Sequence, residues 1–265
     1  MKKLGFILTA IFALLVAVYF FLAPPGDEFV EKDLYSQIIE RGFINVGVNP
    51  NSKPFAYYDS SRDLKGYDID LANKIAGYIF RENPQVKFVP ISPSNRLIKA
   101  STGDVDIVIS TVTITPLRQE VVNFSLPYDH AGQAVLVKSN SSIKTLSDLS
   151  GNIVGVIFGT TAEKNMQALV PTAKVLGFKS YDEAYKALKL GKINAITSDD
   201  TILSSYAIND NEIKLLPKRY SYEPYGIAFK KGDSTVKLKE ILDFAIRDLQ
   251  KQNYIYKLRQ KWNVL

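Results

Sequence analysis

Short apolar segments alternate with amphipathic helical patterns along most of this chain, and no other feature limits its possible folds as strongly. Strands that alternate with helices form α/β proteins, in which helices cover a largely parallel sheet. The segments of strand character are short and rich in β-branched residues. They are Ile44–Val48, Val86–Val89, Asp106–Ser110, Ala134–Val137, Ile153–Ile157, Ile193–Thr197 and Gly226–Phe229.

Two helices are predicted clearly from the pattern between these strands. In Asp68–Phe80 the apolar residues recur at the spacing of a helix that buries one face. A second helix is predicted over Tyr181–Leu190. Ser180 and Glu183 have the spacing of a capping box at its start, and Gly191 lies where a helix commonly ends.

Composition excludes several kinds of site. The 265 residues include no cysteine and one histidine, His130. Without cysteine, the chain cannot form a disulfide framework, a thiolate metal site or a catalytic thiol. We therefore expect no metal and no cofactor. The net charge is +6, but the basic residues are dispersed and are not interleaved with aromatic residues, so a nucleic-acid partner is not expected.

The first 26 residues have the character of an export segment. Two lysines precede an uncharged apolar run of 20 residues, Leu4–Ala23. A basic start before an apolar run is typical of a signal peptide, and this run is also long enough to span a bilayer. Pro24 and Pro25 follow where a cleavage site would be needed. A signal peptide and a retained membrane anchor both remain open for 1–26, and both place the remainder in the periplasm or on the outer face of the cytoplasmic membrane. A soluble core helix is disfavoured, since no polar face interrupts the run.

The chain is expected to form two lobes. A polar run, 138–142, follows the strand Ala134–Val137, and Leu215–Pro217 precedes the return to the strand Gly226–Phe229. If the chain crosses between lobes at both places, 138–220 form lobe 2 while 40–137 and 221–265 together form lobe 1. Two crossing strands would act as a hinge, and the cleft between the lobes would be a natural ligand site.

A series of short motifs follows one another along both predicted lobes. They are Val46–Tyr58, Gly66–Ala72, Gly103–Ile107, Thr111–Thr115 with Arg118, Asn123–Tyr128, Leu146–Gly151, Gly159–Thr161, Thr197–Asp200 and Pro224–Phe229. In this order and spacing the set resembles the polar amino-acid-binding proteins of ABC importers, solute-binding protein family 3. The resemblance covers residues 40–262. It implies a two-lobe, type II periplasmic-binding fold of the α/β class, with two hinge strands and a ligand cleft between the lobes.

An amino-acid ligand is a zwitterion, so both of its charges must be paired when it is buried. Arginine suits the carboxylate because its planar guanidinium is always charged and donates two parallel hydrogen bonds. The resemblance assigns Arg118 and Thr113 to the α-carboxylate and places Ser110 and Thr111 near the α-amino group. These residues follow a predicted strand at its carboxyl end, where α/β clefts bind ligands. The alternative is that Arg118 is only a surface charge.

The ammonium group requires a carboxylate on the other side of the cleft. By resemblance this is Asp199, which follows the predicted strand in lobe 2, with the adjacent Asp200 as the alternative. Gly159, Thr160 and Thr161 precede a predicted helix, and the backbone N–H groups at a helix start attract an anion. A plain strand-to-helix turn is the other interpretation of these three residues.

Side-chain specificity rests on fewer residues. Binders of cationic amino acids often have an acidic residue where this chain has Asn49, which disfavours lysine or arginine as the ligand. Ser198 stands where some glutamine binders have histidine. Arg96 matches a position that faces the ligand's side chain in acidic-amino-acid binders, and it could also donate to an amide. Glutamate or glutamine is therefore favoured. Three aromatic residues are either walls of the site or plain core residues: Phe55, Tyr57 and Tyr225.

The resemblance implies a monomeric, non-catalytic protein that delivers an amino acid to an ABC permease. An enzyme on the same fold, such as a dehydratase, is the first alternative and needs a general acid in the cleft. Glu163 is the nearest candidate, although an acidic residue in a first helical turn also favours the helix dipole. His130 has no evident Ser or Asp partner. A ligand-sensing domain is the second alternative, and would require further transmembrane or signalling segments.

Overall fold

Two five-stranded sheets organise the part of the chain that the computed structural model describes, residues 32–80 and 82–264. In the first sheet three strands run parallel, and the two that follow are antiparallel to their neighbours. Its apolar side chains are buried under the flanking helices. In spatial order the strands are Val86–Pro90, Ile44–Val48, Ile107–Val108, Ala228–Phe229 and Asn123–Phe124.

The second sheet repeats this plan with later parts of the chain. Three strands are again parallel, and the other two are antiparallel. In spatial order the strands are Lys174–Phe178, Ile153–Ile157, Ala195–Asp199, Gln133–Lys138 and Ile213–Leu215. Each sheet with its helices forms one lobe, so the expected α/β architecture with two lobes is confirmed.

The expected lobe boundaries require a correction. The strand Gln133–Lys138 pairs with Ala195–Asp199 and with Ile213–Leu215, so it belongs to lobe 2 and not to lobe 1. The chain crosses earlier, in an antiparallel ribbon formed by Asp129–Ala131 and Glu223–Tyr225. We call this two-stranded ribbon the hinge ribbon. The apolar pattern predicts a strand near residue 135, but it does not say which sheet the strand joins.

The helices cover both sheets, and a small sheet adds to lobe 1. The strands of the small sheet are Asn51–Ser52, Ala56–Tyr58 and Leu64–Lys65. The helices of lobe 1 are Leu34–Arg41, Tyr67–Ile79, Arg96–Thr102, Pro116–Gln119, Val236–Lys251 and Tyr254–Trp262. Those of lobe 2 are Thr161–Leu169, Tyr181–Lys189 and Asp200–Ile208. Short 3-10 turns occur at Ser147–Leu149 and Asp233–Thr235.

Both predicted helices are confirmed, with ends that move by about one residue. The helix Tyr181–Lys189 is capped as expected, since the Ser180 hydroxyl accepts a hydrogen bond from Glu183 N at 3.2 Å. Glu183 Oε2 in turn accepts from Lys179 N at 3.1 Å, one residue before the usual partner in a capping box. Gly191 has a left-handed φ of +70°, which suits a glycine just beyond a helix end.

The export segment predicted at 1–26 lies outside the described residues. From Asp33 onward the chain forms one compact unit, which contains both lobes. In the described part of the chain, every helix is too short or too polar to span a bilayer.

Candidate ligand-binding cleft

Arg118 lies at the junction of the two lobes. Arg118 is on the helix Pro116–Gln119. The N-cap residue of this helix is Thr115, whose hydroxyl accepts a hydrogen bond from Arg118 N. Nη1 of Arg118 donates to the carbonyl of Thr113 at 2.8 Å in lobe 1, and Nη2 donates to the carbonyl of Gly159 at 3.1 Å in lobe 2. Burial, together with the nearby charge of Arg96, lowers the pKa of Arg118 to about 10. Arg118 is 8% exposed, which excludes the interpretation as a surface charge.

Arg96 is a second buried guanidinium, from the first turn of the helix Arg96–Thr102. Nη1 donates to the carbonyls of Ser110 and Thr111, while Nε is buried without a hydrogen-bond partner. Burial lowers the pKa of Arg96, because a buried charge is poorly solvated. The nearby charge of Asp199 opposes this shift. Arg96 therefore retains a buried donor that makes no hydrogen bond with the described residues.

Asp199 approaches the same cleft from lobe 2, at the end of the strand Ala195–Asp199. Its carboxylate accepts a hydrogen bond of 2.5 Å from the hydroxyl of Tyr225, which belongs to the hinge ribbon. Burial raises the pKa of Asp199 to about 6, although the Tyr225 hydrogen bond and the charge of Arg96 oppose the rise. The charge of Asp199 also opposes the lowering of the Arg118 pKa. A carboxylate from one lobe and two guanidinium groups from the other thus act on one another.

Ser110, Thr111 and Thr113 connect the first sheet to the hinge ribbon. The hydroxyl of Ser110 is buried and has no hydrogen-bond partner. Thr111 has a left-handed φ of +46°, which is unfavourable for a β-branched residue, and its N–H donates to the hydroxyl of Tyr128 at 3.2 Å. Thr113 forms a bridge with Tyr225 of the hinge ribbon. The carbonyls of these three residues therefore hold the two arginines, while their expected contacts with a ligand stay a prediction.

Gly159, Thr160 and Thr161 form the turn before the helix Thr161–Leu169. The helix begins at Thr161, so its first N–H groups have no partner within the helix. The hydroxyl of Thr160 donates to the carbonyl of Ile157 at 2.8 Å and therefore does not cap the helix. Together with Arg118, the turn lines a groove of about 650 Å³ between the lobes. A helix start that faces an arginine can attract an anion.

Several other predicted residues lie away from this cluster. The Asn49 side chain accepts from Asn51 N in a local turn. Tyr57 packs edge-on against Trp262, with ring centroids 6.2 Å apart, and lines an outer groove. Asp200 is paired with Arg219 at 2.6 Å, so it is not positioned like Asp199.

The two candidates for catalysis also differ in position. The side chain of His130 is 59% exposed and packs on Tyr222, outside the arginine cluster. Glu163 is on the first turn of its helix and lines the groove that contains Arg118. Phe55 is fully buried and packs edge-on against Tyr225, with ring centroids 5.9 Å apart, so both aromatic residues belong to the core beneath the cleft.

Sequence reasoning missed two buried residues of the cleft. The hydroxyl of Tyr181 lies 3.1 Å from that of Ser198, and Arg96 and Arg118 both affect its pKa. Asp68 is completely buried, accepts a hydrogen bond from Tyr128 at 3.4 Å and has one oxygen without a partner. Burial raises the pKa of Asp68 to about 8. Asp68 stands in the motif Gly66–Ala72 and Tyr181 begins a predicted helix, but neither pattern shows that the side chain faces the cleft.

In the described part of the chain, the cleft offers positive and negative side chains and hydrogen-bonding groups, but no cluster of metal ligands. Within the described residues, no group of three or more His, Cys, Asp or Glu side chains could hold a metal ion. Two guanidinium groups and a helix start suit an anionic group, while the Asp199 carboxylate suits a cationic one. A small molecule that carries both charges is the natural complement.

Comparison with known proteins agrees with this chemistry. The family model of the bacterial extracellular solute-binding proteins, family 3, matches residues 44–264. The ABC transporter glutamine-binding protein GlnH of Bacillus subtilis (strain 168) is 35% identical over 234 residues, 88% of this chain and 85% of that protein.

Two solved structures are similar in fold as well as in sequence. One is an ancestral arginine-binding protein bound to glutamine, with a TM-score of 0.77 and 37% identity over 84% of this chain and 98% of that one. The other is the ancestral amino acid-binding protein AncCDT-1, a precursor of cyclohexadienyl dehydratase, with a TM-score of 0.79 and 32% identity over 86% of this chain and 98% of that one. The chain belongs to the bacterial extracellular solute-binding proteins of family 3.

Proposed function

We propose that this protein captures a polar L-amino acid between its two lobes and delivers it to an ABC permease in the cytoplasmic membrane. One observation carries the proposal: Arg118 and Asp199 are buried in the same cleft and come from different lobes. Arg118, with Thr113 and the turn Gly159–Thr161, holds the α-carboxylate. Asp199 holds the α-ammonium. A ligand that contacts both lobes stabilises the closed form, because only that form offers both partners.

We propose glutamine or glutamate as the ligand. The B. subtilis relative is named for glutamine, and one similar structure was solved with glutamine bound. The buried Arg96 supports a ligand whose side chain ends in an oxygen acceptor, since its Nε has no hydrogen-bond partner among the described residues. Either an amide oxygen or a carboxylate would satisfy that donor. Ser110 and Tyr181 are close to Arg96, since the Ser110 carbonyl accepts a hydrogen bond from its Nη1 and Tyr181 influences its pKa.

We propose that the cleft binds its ligand without catalysis. Glu163 is the residue that would serve as a general acid if the cleft were an enzyme, and the likeness to a dehydratase precursor makes this the second candidate. Glu163 lies in the first turn of a helix, where an acidic side chain also has a structural role beside the helix dipole. An amino acid incubated with the protein should therefore be recovered unchanged.

The proposed location is outside the cytoplasmic membrane, as the family description states for its members. The apolar segment within 1–26 is either cleaved after export or retained as an anchor. In both cases the two lobes face the permease from the outer side. We propose that one monomer binds one ligand molecule.

Isothermal titration calorimetry with each standard L-amino acid tests the proposal. We expect one or a few to bind with about micromolar affinity, which corresponds to about 8 kcal/mol. The matched control is the D-enantiomer of the best ligand, since with its carboxylate on Arg118 and its ammonium on Asp199 its side chain cannot take the position of the L-enantiomer's side chain. A flat response to the whole panel would contradict the proposed function.

A further inference from the structure

Gly159 is a point of contact between the backbones of the two lobes. It follows the lobe 2 strand Ile153–Ile157 and lies at the rim of the cleft, partly open to solvent. A Cβ atom on Gly159 would lie 2.4 Å from the carbonyl oxygen of Pro93 and 2.7 Å from Cα of Ser94. Pro93 and Ser94 belong to lobe 1, just before the helix Arg96–Thr102. No side chain separates the two lobes here.

The same residue receives a hydrogen bond from the opposite lobe. The carbonyl of Gly159 accepts from Nη2 of Arg118 at 3.1 Å, while Nη1 of Arg118 holds the carbonyl of Thr113 in its own lobe. Arg118 can make both bonds only when the lobes are as close as the Pro93 contact allows. The position of Gly159 therefore determines whether Arg118 can bridge the cleft.

We propose that Gly159 is a closure residue: the absence of its side chain sets how far the lobes close, and full closure brings Arg118 onto lobe 2. The inference deepens the proposed function, because Arg118 is also the group assigned to the ligand's carboxylate. A Cβ at this position collides with backbone atoms of Pro93, which cannot rotate away as a side chain would. The lobes would then stop short of the closed arrangement.

A second effect of the substitution must be separated from this one. Gly159 has a φ of +80°, so any side chain there strains the turn even without a collision. Gly151 provides a matched control. It has a φ of +70°, lies at the other end of the same lobe 2 strand, and has no atom within 4 Å of its Cβ position. Gly151→Ala therefore has the backbone strain without the contact between lobes.

Closure can be measured without any amino acid ligand by cross-linking two introduced cysteines. The chain has no cysteine of its own, so only the introduced pair reacts. The hydroxyl of Ser205 in lobe 2 donates to the carbonyl of Lys53 in lobe 1 at 3.0 Å, far along the sequence from Gly159. The pair Lys53→Cys and Ser205→Cys in the full chain would be cross-linked by a short bifunctional maleimide only when the lobes meet. Adding Gly159→Ala should slow the cross-linking rate at least tenfold relative to adding Gly151→Ala.

The same two glycine variants, without the cysteines, are then titrated with L-glutamine and L-glutamate. Gly159→Ala should weaken binding at least tenfold compared with Gly151→Ala. Asparagine at each position gives a second pair, because asparagine tolerates a left-handed φ better than alanine does. Circular dichroism melts show whether each variant folds. If Gly159→Ala does not fold, the two asparagine variants are used in place of the two alanine variants.

Equal cross-linking rates in the Gly159 and Gly151 variants would overturn the inference, whatever ligand the protein takes. If the rates differ but no amino acid binds the unsubstituted protein, the closure role stands and the proposed function fails. If amino acids bind and both glycine variants bind them equally, Gly159 has no role in closing the cleft around the ligand.

Discussion

At the scale of single residues, two buried arginines with similar surroundings have different tasks. Arg118 divides its hydrogen bonds between the lobes, whereas among the described residues Arg96 donates only to carbonyls of lobe 1 and its Nε makes no hydrogen bond. A buried cation without a carboxylate partner is costly, so each guanidinium favours an anionic or strongly polar ligand group. The assignments to α-carboxylate and side chain can be tested one at a time.

Removing Arg118 should abolish binding. Arg118→Ala leaves the ligand's carboxylate buried without its partner, which costs about 3–5 kcal/mol, a loss of more than a hundredfold in affinity. Calorimetry with the best ligand measures the loss. Arg247→Ala removes an exposed arginine from a lobe 1 helix and serves as the control, with unchanged affinity. Wild-type affinity in Arg118→Ala would refute its assigned role.

Removing Arg96 should distinguish glutamate from glutamine. A hydrogen bond to a charged group contributes about 1.5–3 kcal/mol, and one between neutral partners contributes less. Arg96→Ala should therefore weaken glutamate binding about tenfold more than glutamine binding. Both affinities are measured by calorimetry on the same preparation. An equal loss for both ligands would mean that Arg96 does not read the side-chain charge.

Ligand affinity should fall in acid because of Asp199. Its raised pKa of about 6 means that the carboxylate is charged above that pH and protonated below it, and only the charged form pairs with an ammonium group. Affinity measured at pH 5 should be lower than at pH 7.5. Asp199→Asn should bind weakly with little dependence on pH over this range. A wild-type affinity that rises towards pH 5 would contradict the assignment.

At the scale of secondary-structure elements, local patterns were good guides to helices and strands. The strand Ile44–Val48 has its predicted bounds, and the helix Tyr181–Lys189 has the predicted cap. The short elements were missed, including the hinge ribbon strand Asp129–Ala131 and the hairpin strand Ala56–Tyr58. Elements of three residues contain too few positions to show a period, so only their partners reveal them.

The cap of the helix Tyr181–Lys189 should have a measurable value. Ser180→Ala removes the acceptor of Glu183 N, and loss of such a cap costs about 1 kcal/mol of unfolding free energy. Urea denaturation measures the difference. In Ser101→Ala, the control, an exposed hydroxyl that bonds within its own helix is lost, and stability should change little. Equal stability of Ser180→Ala and wild type would show that the cap contributes nothing.

At the scale of the whole molecule, buried carboxyl groups link stability to pH. The pKa of Asp68 is raised from 3.8 to about 8, so the folded protein binds this proton more tightly than the unfolded chain does. Its contribution to stability is therefore full below about pH 4 and is lost as the pH rises through 8. Asp129 and Arg96 also act on the pKa of Asp68, with opposite signs. The raised pKa of Asp199 gives a contribution to stability of the same sign, which is lost as the pH rises through about 6.

The thermal midpoint of the ligand-free protein should consequently decrease as the pH rises from 6 to 8. Asp68→Asn keeps the shape of the protonated carboxyl group and cannot ionise, so its midpoint should fall less over this interval. Differential scanning calorimetry of both proteins at several pH values provides the comparison. Parallel pH profiles for the two proteins would show that Asp68 does not titrate in this range.

The sequence by itself determined the α/β class, the family and three charged candidates for the cleft, Arg96, Arg118 and Asp199. Helical and strand periods depend on neighbouring residues, and the motifs containing Arg118 and Asp199 are contiguous. Tertiary structure alone decided that the strand Gln133–Lys138 joins lobe 2, that Tyr181 enters the cleft while Tyr57 lies outside it, and that Gly159 meets Pro93. These relations join residues distant along the chain, so they depend on how the complete set of elements packs and not on any local pattern.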